Sequence, residues 1–150
     1  MAGEREVTAY CGLYCGDCIP SNQSLFDAAE KLREELDGRQ FDKYAELKGK
    51  NNDVFNDYGT FKKVLSELMA LRCAKACING GGNPDCKIRG CVRGKGLNGC
   101  WECPDFESCE LLEPLSLYHG DTRRCNLRLI KEYGIEGWAD KRGIHYVWDD

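Results

Sequence analysis

The sequence predicts a mostly α fold in which helices surround an irregular, cysteine-rich, metal-stabilised insert, with a small α+β arrangement as its variant. Three observations carry this expectation. Residues 24–72 lack cysteine and place apolar residues at helical spacing. Residues 73–109 hold seven of the 11 cysteines, carry Gly80-Gly81-Gly82, and show no apolar periodicity of useful length. Helical patterning then returns over residues 105–143. A chain of 150 residues fits one domain. It reads as a single metal-binding domain over 1–150, with its cysteine-rich part 73–109 joined by residues 11–18.

The elements follow in order. Ser24 is the expected N-cap of a first helix with Leu25, Ala29, Leu32 and Leu36 on one face, ended by Asp37-Gly38. A short helix follows over QFDKYAELK and stops near Gly49. Lys50 to Gly59 is polar and turn-rich, and Thr60 caps a helix carrying Phe61, Val64, Leu65 and Leu68. Residues 73–109 form a 37-residue stretch that a hydrophobic core does not explain, so metal is the expected organiser. Asp105 caps a further helix to about residue 118, and Asp121 caps TRRCNLRLIKEY. Gly134 is expected in a left-handed conformation, with Ile135 touching Ile130 as in a Schellman ending. Gly143-Ile144 repeats that pattern after a short helix containing Trp138, and IHYVW alternates enough for a short strand.

Composition narrows the function classes. The net charge of −4 gives no global attraction to nucleic acid or to an anionic membrane. No apolar run approaches the ~20 residues of a membrane span, and the first residues lack a signal-peptide core. The expected compartment is therefore the cytoplasm. There, clustered thiols do not persist as structural disulfides, and an odd count cannot pair completely within one chain.

Metal ligation explains both the number and the spacing of the cysteines. Thiolate is a strong zinc ligand, and four thiolates in a tetrahedron close a structural site. Cys15-Gly-Asp-Cys18 and Cys100-Trp-Glu-Cys103 are knuckle-like pairs; Cys73 and Cys77, and Cys86 and Cys91, are looser pairs. Eight ligands would fill about two zinc sites. The expected partition is Cys15, Cys18, Cys73 and Cys77 at one site, and Cys86, Cys91, Cys100 and Cys103 at the other. Cys11 and Cys109 are substitutes or members of a third site, and Cys125 reads as core filler on a helix face. An iron–sulfur cluster is the alternative cofactor, since ten clustered thiols could hold one or two clusters. Cys11-x3-Cys15-x2-Cys18 has the spacing of radical S-adenosylmethionine enzymes, but the chain lacks the βα pattern of their barrel.

The stretches AYCGLYCGDC, CKIRGCV, GLNGCWECPDFESCELL and the closing HYVW, with the intervening C-x3-C, resemble a bacterial and archaeal cysteine-rich family known as domain of unknown function 3795. The resemblance runs from about residue 9 to 112 and continues more weakly to the end. It implies that Cys11, Cys15, Cys18, Cys73, Cys77, Cys86, Cys91, Cys100, Cys103 and Cys109 are the recurrent cysteines, with metal binding and no established activity. The chain departs from the family in having Cys73-Ala-Lys-Ala-Cys77 for C-x-G-C, and Ser108 where proline is usual.

Residues 86–95 carry four positive charges, a pattern that zinc-knuckle proteins direct at nucleic acid, but residues 101–114 follow with five acidic groups that balance them. Nucleic acid is therefore the disfavoured partner, and an unidentified protein or small molecule the favoured one. His119 and His145 are the only histidines; structural roles are expected for both, and Trp138, Tyr146 and Trp148 are expected to pack the C-terminus. No catalytic constellation stands out, and Gly80-Gly81-Gly82-Asn83-Pro84 lacks the Lys-Ser/Thr ending of a P-loop. The leading expectation is a binding or adaptor module that holds zinc. An iron–sulfur redox or sensor protein and a small metalloenzyme are the alternatives.

Overall fold

The computed structural model describes residues 3–150. It contains six α-helices and, among the described residues, no strand, so the mostly α expectation holds and the α+β variant does not. The helices are α1 (Gln23–Gly38), α2 (Phe41–Lys48), α3 (Tyr58–Ala70), α4 (Lys87–Gly94), α5 (Ser116–His119) and α6 (Thr122–Tyr133). They fall into two compact units, residues 22–72 and residues 1–21 with 73–150.

In the unit 22–72, α1 begins earlier than Ser24. Asn22 is the cap, because its side-chain oxygen accepts both the Leu25 N–H at 3.2 Å and the Ser24 hydroxyl at 2.8 Å. Likewise α3 begins at Tyr58, before Thr60, after a 3-10 turn over Asp53–Asp57 that Asn52 caps through the Val54 N–H. The segment 50–59 is thus more ordered than its polarity indicates. Phe41, Tyr44, Phe55, Tyr58 and Phe61 form a chain of ring contacts with centroids 5.1–6.5 Å apart, tying α2 to α3.

The other unit is built around a tight loop. Ala9 N–H donates to Leu13 C=O at 2.8 Å and Cys15 N–H to Val7 C=O at 2.8 Å. Gly12 turns this loop at φ +87°, where a Cβ would meet the Arg123 carbonyl at 3.0 Å; a side chain there would be both strained and crowded. The loop packs on a core in which Leu112 and Leu127 are fully buried, with Ala9, Cys11, Ile88, Val92, Cys100 and Phe106 around them. A second cluster joins Ile130, Trp138 and Ala139. The Trp138 indole N–H donates to Thr8 Oγ1 at 3.3 Å, and the ring meets Tyr14 edge-on at 5.9 Å.

Several sequence expectations change here. Residues 73–109 are not wholly irregular: α4 buries Ile88, Arg89 and Val92 on one side of a two-turn helix. The helix expected from Asp105 is broken into 3-10 turns over Phe106–Ser108 and Glu110–Leu115 before α5. Cys109 sits extended between them, and Pro114 has no N–H to continue an α ladder. Asp121 precedes α6 without capping it; its carboxylate faces Arg128 at 3.3 Å and the Cys125 thiol at 3.5 Å. Gly134 has the expected positive φ, but ψ of 163° leaves the left-handed helical well; Ile135 still packs on the cluster holding Ile130. Trp138 precedes a 3-10 turn over Ala139–Lys141 and does not lie inside it. The closing IHYVW is no strand, because the Asp149 carboxylate accepts the His145 and Tyr146 N–H groups at 3.0 and 2.7 Å and curls the chain.

Candidate metal centre

The two halves of the first thiol group come from either end of the 22–72 unit. Cys15 and Cys18 flank a 3-10 turn over Cys15–Asp17, and Cys73 is held near them by its N–H donating to Pro20 C=O at 2.7 Å. The Cys73 thiol lies 2.9 Å from Lys75 C=O and accepts the Gly82 N–H at 3.1 Å. The neighbouring Cys77 holds the Cys15 thiol below its usual range, and the same pairing pushes Cys77 up. Burial first, and then the nearby Cys15 and Cys73 sulfurs, raise Cys18, against a lowering contact from the Tyr146 hydroxyl. These are the four residues that the sequence partition placed together.

The second partition changes. Cys91, Cys100, Cys103 and Cys109 line one cavity, and Cys86 is not among its walls. Burial pushes Cys100 up to about 12, reinforced by Cys11, Cys109, Cys103 and Cys91. The reason for the exchange is α4. Cys86 is its N-cap, with the sulfur facing the Arg89 N–H at 3.5 Å, and Cys91 lies five positions along. At about 100° per residue the two positions lie some 140° apart around the helix axis, and Cys91 lines the cavity while Cys86 does not. Cys86 instead lies near Cys11, which is buried and pushed up to about 11, first by that burial.

Cys125 is not core filler. It is exposed on α6, between Asp121 and Arg128. Among the described residues, no group of three or more His, Cys, Asp or Glu side chains is set in a geometry that could hold a metal ion. The thiols are gathered by the fold but not drawn together.

Cations accompany the thiols. Lys95 Nζ lies 3.9 Å from Cys103 Sγ. Arg123 is 1% exposed; it donates to Ser116 Oγ at 2.8 Å, while its Nε and Nη1 have no partner. The nearby Cys11 sulfur raises Arg123 against the larger lowering effect of burial. Arg89, read in the sequence as part of a basic patch, is buried and donates to the carbonyls of Cys77, Gly81, Asn83 and Pro84 at 2.8–3.1 Å. It holds the glycine-rich loop beside the cysteines and is unavailable to phosphate. Arg93 Nη2 likewise donates to Ile78 C=O at 3.2 Å. Sequence reasoning missed these arginines; the one usable signal was an arginine flanked by Ile88 and followed by Val92 at helical spacing.

At the C-terminus, His119 Nδ1 meets His145 C=O at 2.8 Å, and its ring stacks on Tyr146 at 5.0 Å. Burial lowers both histidines below their usual range. The Tyr146 hydroxyl accepts the Ile19 N–H at 2.8 Å and lies 3.9 Å from Cys18 Sγ. His119 thus packs as expected, and Tyr146 adds a contact to a candidate ligand.

No helix is long and apolar enough to cross a membrane among the described residues. No curated protein and no solved structure matches the chain. Residues 7–114, which include all ten clustered cysteines, match the family model described as Protein of unknown function (DUF3795), and the chain belongs to that family.

Proposed function

We propose that this chain is a metal-binding module in which cysteine thiolates hold zinc, about two ions, and that it serves as a binding or adaptor domain. One observation carries the reading. Cys15, Cys18, Cys73 and Cys77 lie near one another although residues 22–72 separate Cys18 from Cys73 in the chain. Thiols gathered this way cannot all ionise beside one another unaided; a divalent cation would offset their charge. The ion would have to draw the sulfurs in by side-chain rotation, because their present spacing is too open. Lys95 and Arg123 supply positive charge against the net −2 of a four-thiolate zinc site. The basic-patch reading loses support, since Arg89 and Arg93 are engaged with backbone carbonyls. An unidentified protein or small molecule remains the favoured partner, and the cytoplasm the proposed compartment.

Elemental analysis of native protein purified without added metal tests the proposal. About two bound metals per chain are expected. Structural metal contributes on the order of 10 kcal/mol at neutral pH, comparable to a whole domain's stability of ~5–15 kcal/mol. Chelation should therefore unfold the cysteine-bearing unit. Metal-free, reduced protein that keeps its native melting behaviour would refute the proposal.

A further inference from the structure

Residues 22–72 contain no cysteine, yet they leave apolar surface uncovered. Leu32, Val54 and Phe61 are 46%, 74% and 42% exposed. They border a hollow of about 380 Å³ formed by α1, α2, the Asp53–Asp57 turn and α3. That volume lies in the ordinary range of small-molecule sites, about 300–1,000 Å³. Four rings build much of its wall. Phe41 lies 5.1 Å from Tyr58 and 6.5 Å from Phe55, and Tyr58 lies 5.8 Å from Phe61, centroid to centroid. These pairs are inclined by 29–54°, so the rings make a curved wall and not a flat stack.

Among the described residues, Asp57 is the one charged group in that wall. Its carboxylate makes no capping hydrogen bond to α3 and no ion pair among those residues. Lys62, on α3, is paired instead with Asp37 at 3.6 Å. Aromatic faces carry partial negative charge and attract cations, and an unpaired carboxylate beside them adds to that attraction. The remaining wall offers only apolar contact, which suits the body of a ligand and not its charge. An anion would be repelled by Asp57. A neutral apolar ligand would strip water from that carboxylate without replacing it. The charge of the wall therefore selects a cation with an apolar body.

We propose that this hollow binds an organic ammonium ion, its apolar body among Phe41, Phe55, Tyr58 and Phe61 and its charge beside Asp57. The site goes beyond the metal-binding reading and does not depend on it, because no thiol takes part.

The test uses the full chain as purified, titrated with benzyltrimethylammonium, benzyl alcohol and phenylacetate. These probes share an aromatic body and differ in charge. Amide NMR shifts report both the affinity and the place of binding. The ammonium ion should bind about tenfold more tightly than benzyl alcohol, with shifts centred on residues 41 and 54–61, and phenylacetate should not bind there. Asp57→Asn should weaken the ammonium about twofold to fivefold while leaving benzyl alcohol unchanged. Phe61→Leu keeps an apolar wall but removes a ring, and it should weaken the ammonium by a similar factor, about twofold to fivefold. Equal binding of the ammonium and the alcohol would overturn the proposal and leave only an apolar groove. So would an ammonium affinity unmoved by Asp57→Asn, shifts centred elsewhere, or no binding at millimolar probe. Concentration-dependent broadening of the same amides without any probe would show that a second copy of the chain covers the hollow, and would overturn it too. Asp57 is exposed, so its amide variant should fold; the comparison of the three probes on the unaltered chain decides independently of either variant.

Discussion

Replacing Arg89 by methionine removes the guanidinium but keeps most of the stem. Four carbonyls lose their donor: Cys77 at 3.1 Å, Gly81 at 2.9 Å, Asn83 at 2.8 Å and Pro84 at 3.1 Å. A hydrogen bond to a charged group contributes about 1.5–3 kcal/mol net. Asn83 and Pro84 are exposed, so water takes the guanidinium's place there at small cost. Gly81 is buried and its carbonyl gains no substitute partner, whereas the half-buried Cys77 carbonyl keeps the Gly80 N–H at 3.1 Å. The expected loss is therefore one to two such bonds, roughly 1.5–6 kcal/mol, a large share of the ~5–15 kcal/mol that holds a typical domain. Urea unfolding of the metal-loaded protein, followed by tryptophan fluorescence, measures it. Amide exchange over residues 77–84 should accelerate in parallel. Arg89→Lys should recover only part of the loss, because an ammonium lacks the planar fork that spans several acceptors. Since the loop it holds connects Cys77 to Cys86, metal retention should weaken too. An Arg89→Met protein within ~0.5 kcal/mol of wild type, the range of an ordinary surface substitution, would refute the claim that this arginine organises the loop.

Trp138→Ala should cost about 3–5 kcal/mol by the same assay, because the ring is fully buried and bonded to Thr8; a loss under ~1 kcal/mol would mean that the C-terminal cluster is not a true core. Arg123→Met removes a buried charge that has two nitrogens without partners and should weaken metal retention in competition with a chelator; unchanged retention would deny it a role as counter-charge. Burial lowers His119 and His145 in the folded chain, so the unfolded chain takes up protons first as pH falls. Their contribution is intact above the unfolded value of ~6.5 and is lost progressively from there down to the depressed folded values. At equal metal occupancy, His119→Gln should show a shallower fall in stability below about pH 6.5, and an unchanged slope would argue against burial as the cause.

Local patterning made much of the helical chain legible. Phe41–Lys48 and Thr122–Tyr133 follow from apolar periodicity and glycine stops, and they lie close to where the sequence places them. Caps were less legible, because Asn22, Ser24 and Thr60 are chemically interchangeable and only the folded backbone selects among them. Helix α4 was hidden by its length: two turns with Ile88 and Val92 buried fall below any periodicity threshold, and glycine and cysteine around them read as loop. That omission also bears on the thiol grouping, since Cys109, and not Cys86, lines the cavity with Cys91, Cys100 and Cys103. The last stretch alternated like a strand, but alternation needs a neighbouring strand to bond with, and Asp149 offered the backbone a nearer acceptor.

By itself, the amino-acid sequence determined the class of the fold, the family, and the set of thiols at stake, because periodicity and cysteine spacing are local properties of the chain. The tertiary structure alone decided which thiols lie near one another: Cys73 and Cys77 near Cys15 and Cys18, although residues 22–72 separate them in the chain, and Cys109, not Cys86, lining a cavity with Cys91, Cys100 and Cys103. It also decided that Arg89 and Arg123 face inward. The physical reason is that closing a long loop costs little more than closing a short one, so spacing along the chain scarcely limits which cysteines meet. Packing, and the direction each helix gives its side chains, makes that choice.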